Sequence, residues 1–189
     1  MNADINIGKV TLHTKRLTLR PWKKTDLDDF FEYASVDGVG QMAGWQPHQN
    51  KEETMEILNK FIRDRKTFAL EYQGKVIGSL GIEFYDENEF PEFELLEGRE
   101  IGYVLSKDYW GKGLMPEAVN EVVRYLFEDV GLDFIFCGHF LSNHQSARVQ
   151  EKCGFRHYKN RMFETRMGTV EETEENILFK AEWEDRHGL

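Results

Sequence analysis

The chain has 189 residues, 40% hydrophobic and 31% charged, with a formal net charge of −10. That length suits a single domain, read here as residues 1–189, with a substantial core. The acidity argues against general nucleic-acid binding, which needs basic surface to displace counterions.

Apolar runs are short, so neither a membrane span nor a signal peptide is expected. Cys137 and Cys153 make no disulfide framework, and the expected compartment is the reducing cytoplasm. Lys15 to Arg20 alternates like a first strand, ended by Pro21. Thr25 with Asp28 opens a helix whose Leu27, Phe30, Phe31 and Ala34 share a face. Gly40 to Gln49 reads as a loop, and Asn50 with Glu53 as a capping box before Met55, Leu58, Phe61 and Ile62. Phe68–Tyr72 and Lys75–Phe84 form a hairpin around Gln73-Gly74, Asp86 to Gly98 an acidic loop, and Arg99–Leu105 a further strand. Met115 to Val130 carries a nearly unbroken apolar stripe, with Pro116 in the first turn and Gly131 as the stop. Asp133–Phe140 is a strand and Asn143–Lys152 a short helix ended by Gly154. Phe155–Thr169 with Asn176–Lys180 closes the sheet as a hairpin. This order predicts an α/β (α+β) mixed sheet of about seven strands with helices on both faces.

The densest chemistry lies between the Arg99–Leu105 strand and the following helix, where Gly111 and Gly113 flank Lys112. Two glycines let the backbone turn tightly with N–H groups inward, and the helix N-terminus adds positive potential, so the segment reads as a phosphate site. It is not a P-loop: Gly111-Lys112 is followed by Gly113, and Ser106 stands where the first glycine belongs. Nor is it a dinucleotide fingerprint, whose third position is here Pro116. A nucleotide hydrolase is disfavoured accordingly.

The loop Asp108-Tyr109-Trp110-Gly111-Lys112-Gly113 resembles the Gln/Arg-x-x-Gly-x-Gly/Ala loop of the GNAT acyltransferases, departing at its first position. Asn143-His144-Gln145-Ser146, followed by Glu151-Lys152-Cys153-Gly154-Phe155, is similar to that family's Asn-x-x-Ser…Glu-Lys-x-Gly-Phe segment. With Leu17–Pro21 and Glu100–Leu105 the resemblance covers roughly Leu12 to Lys180. It is strongest to the Rim-type branch, which acetylates ribosomal-protein N-termini. The resemblance implies a GNAT fold with a mostly antiparallel sheet, an acyltransferase (N-acetyltransferase) activity and acetyl-CoA as cosubstrate. It implies that Val104 and Leu105 meet the thioester end, that Gly111, Lys112, Gly113, Leu114 and Met115 hold the pyrophosphate, and that Asn143 holds the pantetheine arm. Glu100 is the implied general base, with Glu83 as an alternative. Gln150 stands where many relatives carry the proton-donating tyrosine, so Ser146 is the implied donor. Trp45 and His48 are implied walls of the acceptor site.

The acceptor is expected to be a primary amine, possibly a protein N-terminal α-amine. Between Glu83 and Glu100 the carboxylates face Arg99 alone, a solvated loop or else a rim attracting a cationic acceptor. A polyamine or aminoglycoside is the alternative acceptor. A non-catalytic coenzyme-A-binding module, for which Gln150 speaks, is the alternative function. Cys137 and His139 share a strand face and read as a buried thiol beside a packed histidine. The histidines form no His-Glu-x-x-His pattern, so no metal is expected. Monomer and homodimer are both compatible with the sequence.

Overall fold

In the computed structural model, which describes residues 1–189, the elements run β1 (Leu12–His13), β2 (Leu17–Pro21), α1 (Leu27–Ala34), α2 (Lys51–Asp64), β3 (Thr67–Tyr72) and β4 (Lys75–Glu83). They continue with β5 (Gly98–Leu105), α3 (Leu114–Arg124), β6 (Phe134–Phe140), α4 (His144–Cys153), β7 (Arg156–Glu164), β8 (Val170–Phe179) and α5 (Lys180–His187). The strands form one 8-stranded sheet in the order β1-β2-β3-β4-β5-β6-β8-β7. Every neighbouring pair is antiparallel except β5 and β6.

Pleat alternation divides the β5 side chains between two layers. Ile101 packs with Ile135, Cys137, Met115, Val119, Phe127 and Trp183 on the face covered by α3, α4 and α5. On the other face, Val104 lies against the cluster of Trp22, Phe30, Tyr33 and Leu58 beneath α1 and α2. Farther along that face, the acidic segment 86–97 drives Phe90 and Phe93 onto Phe134 and Phe136. That aromatic packing offsets the ordering entropy of a carboxylate-rich loop.

The mixed sheet with helices on both faces agrees with the sequence expectation, with one strand more than about seven. The extra strand is the two-residue β1, too short to carry a periodic signal. β8 begins at Val170, six residues before the expected Asn176, because its first residues are held by pairing with β7, joined from Thr173 onward by β6, rather than by strand propensity. Lys180 opens α5 instead of ending a strand. The Phe179 N–H donates to Glu182 Oε2 at 3.2 Å, and Trp183 docks against Phe127 at 5.7 Å between ring centroids. The long stripe of α3 continues past Arg124 as a widened π turn, Tyr125–Val130, before Gly131. The first helix starts with a 3-10 turn, Lys24–Asp26, where Asp26 rather than Thr25 accepts from the Lys23 N–H. Asn50 caps α2 as expected, accepting from the Glu53 N–H at 2.8 Å.

Candidate active site

β5 pairs with β4 from Glu100 to Leu105, but with β6 only at Gly98↔Phe134, Arg99↔Ile135 and Glu100↔Phe136. β6 meanwhile keeps pairing with β8 through Phe140↔Thr173. The two strands therefore part beyond Glu100 and leave one backbone edge of Ile101–Leu105 without a strand partner. A cavity of about 420 Å³ fills the opening. It is lined from the α3/α4 side by Tyr103, Leu114, Cys137, Asn143, Ser146 and Val149, and from the α1/α2 side by Glu100, Val104, Met42, Arg161, Phe163 and Thr173. Lining residues from both sheet faces make it a passage through the sheet.

At the first mouth the glycine loop meets α3. Gly111 and Gly113 have φ of 73° and 72°, left-handed values natural only to glycine. Gly113 is the N-cap residue of α3, so the loop delivers N–H groups to the helix N-terminus. Gly111, Gly113, Leu114 and Met115 line the cavity, as do Val104 and Leu105, while Lys112 does not. Its Nζ donates to the Asp108 carbonyl at 2.8 Å instead. Arg148 and Lys152 of α4 border the cavity and add positive charge. Asn143 Oδ1 caps α4 by accepting from the Ser146 N–H at 3.1 Å.

Sequence reasoning passed over Tyr103, which lies within the cavity with its hydroxyl 2.9 Å from Ser146 Oγ. Its signal was available: three residues past Glu100 on a strand is the opposite face. Burial pushes the Tyr103 phenol well above its usual pKa. Gln150 is fully buried and is not part of the wall. Its Nε2 donates to the Gly138 carbonyl and to Ser146 Oγ, both at 3.2 Å. Its Oε1 accepts from Asn176 Nδ2 at 2.7 Å and lies 3.3 Å from His139 Nδ1. Gln150→Leu would strand these buried groups and is expected to cost roughly 3 kcal/mol, a Tm fall of about 6–12 °C by calorimetry. An unchanged Tm would mean that Gln150 does not hold this network.

At the other mouth, carboxylates converge on one guanidinium. Arg161 Nε lies 2.9 Å from Glu175 Oε2, Nη1 3.2 Å from Glu89 Oε2 and Nη2 3.7 Å from Glu100 Oε1. Glu175 is buried and its Oε1 has no partner, nor has Thr173 Oγ1 in the cavity wall. Loss of solvation, then the neighbouring Glu175 charge, raises Glu100 to about 8, against the opposing pull of Arg161. Glu175 is likewise raised by burial. Arg161 and Glu175 were illegible in sequence because only the β6-β8-β7 register brings them to Glu100.

Glu83 is the cross-strand partner of Glu100, but it is exposed and does not line the cavity. Trp45 and His48 also lie outside the wall. His48 is buried, with Nδ1 2.8 Å from Thr54 Oγ1 and its ring against Phe30, and burial lowers its pKa. Trp45 covers Gly40, where a Cβ would come within 2.1 Å of the indole. The pair braces a 3-10 turn, Gly40–Ala43, and it is Val39, Met42 and Ala43 that reach the cavity. Cys137 and His139 are both buried, and the Cys137 thiol is pushed up by desolvation, which makes it inert as a nucleophile. No cluster of three or more metal-ligating side chains is present, and no helix is long and apolar enough to cross a membrane.

Residues 16–156 match the family model described as acetyltransferase (GNAT) domain. The chain is 30% identical over 134 residues to the uncharacterized N-acetyltransferase p20 of Bacillus licheniformis, covering 66% of this chain and 70% of the relative. The fold is shared with a GNAT-family acetyltransferase from Bacillus anthracis at a TM-score of 0.79 and 22% identity, over 91% and 99% of the two chains. The ribosomal-protein-S5-alanine acetyltransferase of Vibrio fischeri also shares it, at a TM-score of 0.68 and 20% identity over 93% and 99%. A parted parallel strand pair, a glycine loop at a helix N-terminus and a matching domain along most of the chain agree: this protein belongs to the GNAT acetyltransferases, enzymes of acetyl transfer to amines.

Proposed function

We propose that the chain moves the acetyl group of acetyl-CoA to a primary amine carrying further positive charge, by direct attack of that amine on the thioester. The observation that carries this reading is the passage through the sheet, with N–H groups and basic side chains at one mouth and carboxylates at the other. An extended pantetheine arm can add to the free edge of Ile101–Leu105 as a strand would. Gly111, Gly113, Leu114 and Met115 would receive its pyrophosphate, with Arg148 and Lys152 adding charge. Asn143, Val104 and Leu105 would flank the arm toward the thioester.

Glu100 would be the base. Burial makes the Glu100 carboxylate a stronger proton acceptor than an ordinary one, and an α-amine of about 7.8 is already roughly one-third neutral at pH 7.5, whereas lysine is only about 0.1% neutral. The smaller demand on the base favours an N-terminal α-amine over a lysine side chain. Because Gln150 is built into the core rather than the wall, its lack of an acidic proton is no argument for a module without activity.

The exposed segment 86–97 carries Asp86, Glu87, Glu89, Glu92, Glu94 and Glu97, more carboxylates than Arg161 and Lys159 beside it can neutralise, so a cationic acceptor should be drawn to this mouth. The test compares kcat/KM for neutral and basic peptides sharing one N-terminal residue, from about 50 to 500 mM salt, over which screening shortens below 10 Å. A preference for the basic peptide that shrinks with salt is expected. Equal rates at low salt would remove the carboxylates from acceptor recognition. Polyamines and aminoglycosides in the same assay decide whether a peptide backbone is needed.

A further inference from the structure

Acetyl transfer by direct attack leaves a thiolate that must gain a proton, and Gln150 has none to give. A phenol placed for that task is on β5. Tyr103 lines the cavity on the face opposite Glu100, with its oxygen 2.9 Å from Ser146 Oγ and 3.3 Å from the Ser146 carbonyl. Ser146 Oγ is itself within 3.2 Å of Gln150 Nε2, whose Oε1 is held by Asn176. With Gln150 donating to Ser146, the serine hydroxyl is free to donate to Tyr103, and the tyrosine's own proton, held at rest only by a long 3.3 Å hydrogen bond to the Ser146 carbonyl, can turn into the cavity. The chain of donors thus ends on the thioester side of the passage.

We propose that Tyr103 is a catalytic residue of this protein, the acid that protonates the departing thiolate, with Ser146 as the positioning residue behind it. The proposal rests on the acetyl-CoA reading above. In the step, the amine lone pair forms the C–N bond, and the C–S bond breaks with its electron pair passing to sulfur. Tyr103 gives its proton to that sulfur, the nitrogen's surplus proton goes to Glu100 on the other face, and exchange with water resets both groups. Burial keeps the phenol protonated between turnovers, while the hydrogen bond from Ser146 steadies the phenolate when it forms. The titratable groups facing Tyr103 are Cys137 of β6 and Cys153 of α4, both buried with raised pKa values and so neutral.

The test uses Tyr103→Phe, which removes one oxygen and keeps the ring, with two acetyl donors. With acetyl-CoA, kcat is expected to fall about 10²-fold, while calorimetric affinity for acetyl-CoA stays unchanged and reports an intact fold. With p-nitrophenyl acetate, whose leaving group departs as an anion near neutral pH, the deficit should disappear. Ser146→Ala should show a smaller loss with the same dependence on the donor. Equal losses with both donors would assign Tyr103 to structure, and an undiminished rate with acetyl-CoA would exclude it as the acid. A wild-type protein that binds no acetyl-CoA would overturn the acetyl-CoA reading, and the role of Tyr103 with it.

Discussion

Glu100→Gln is expected to lower turnover by about 10²–10⁴-fold near neutral pH while acetyl-CoA affinity stays at the wild-type value. The substitution keeps the shape of the side chain and removes only its basicity. Burial and Glu175 raise the Glu100 carboxyl to about 8, so at pH 7 most of the base is protonated. Wild-type kcat should therefore rise with pH as that proton leaves, and the rise belongs to the Glu100–Glu175 pair jointly. In the variant this limb vanishes, and rate recovers only as free amine accumulates. A pH–rate profile with an acceptor of known amine pKa separates the two. A variant profile identical to the wild type would transfer the role to solvent.

Gly113→Val is expected to abolish saturable acetyl-CoA binding without unfolding the protein. At φ of 72° an L-residue costs about 1–2 kcal/mol, more for a β-branched one. Its Cβ would meet only Arg16 Nη2, at 3.6 Å, so the surroundings have room for it. The stability loss should be a Tm fall of about 2–8 °C. Binding suffers more, because relieving the strain rotates the N–H groups at the start of α3 away from the pyrophosphate position, where the side chain also intrudes. Calorimetric titration of the folded variant decides it. Wild-type affinity would remove the glycine loop from the binding site.

What was legible in sequence was local. The spacing of Gly111 and Gly113 before an apolar helical stripe predicted a phosphate-type loop, and both glycines have positive φ at the N-terminus of α3. Asn50 and Asn143 cap the helices they precede, since a cap needs only residues three apart. Pleat alternation on the Arg99–Leu105 strand was enough to set Glu100 and Tyr103 on opposite faces. The family resemblance, carried by the same short motifs, led to the acyltransferase class.

The tertiary structure decided everything that depends on which strands meet. That β5 and β6 part beyond Glu100 is a property of their pairing, absent from either strand alone. Arg161 and Glu175 reach Glu100 through the β6-β8-β7 register, so the charge that raises the carboxyl and the charge that opposes it come from distant segments. Trp45 and His48 sit in the expected loop, yet their large rings turn toward Gly40, Phe30 and Thr54, because burying them gains more than lining a wet cavity. Gln150 occupies the position of an acid but serves as a hydrogen-bond hub, since a fully buried amide must satisfy its donors and acceptor where the core supplies partners. Sequence determined the residues available to the chemistry; long-range packing determined which of them face one another across the sheet.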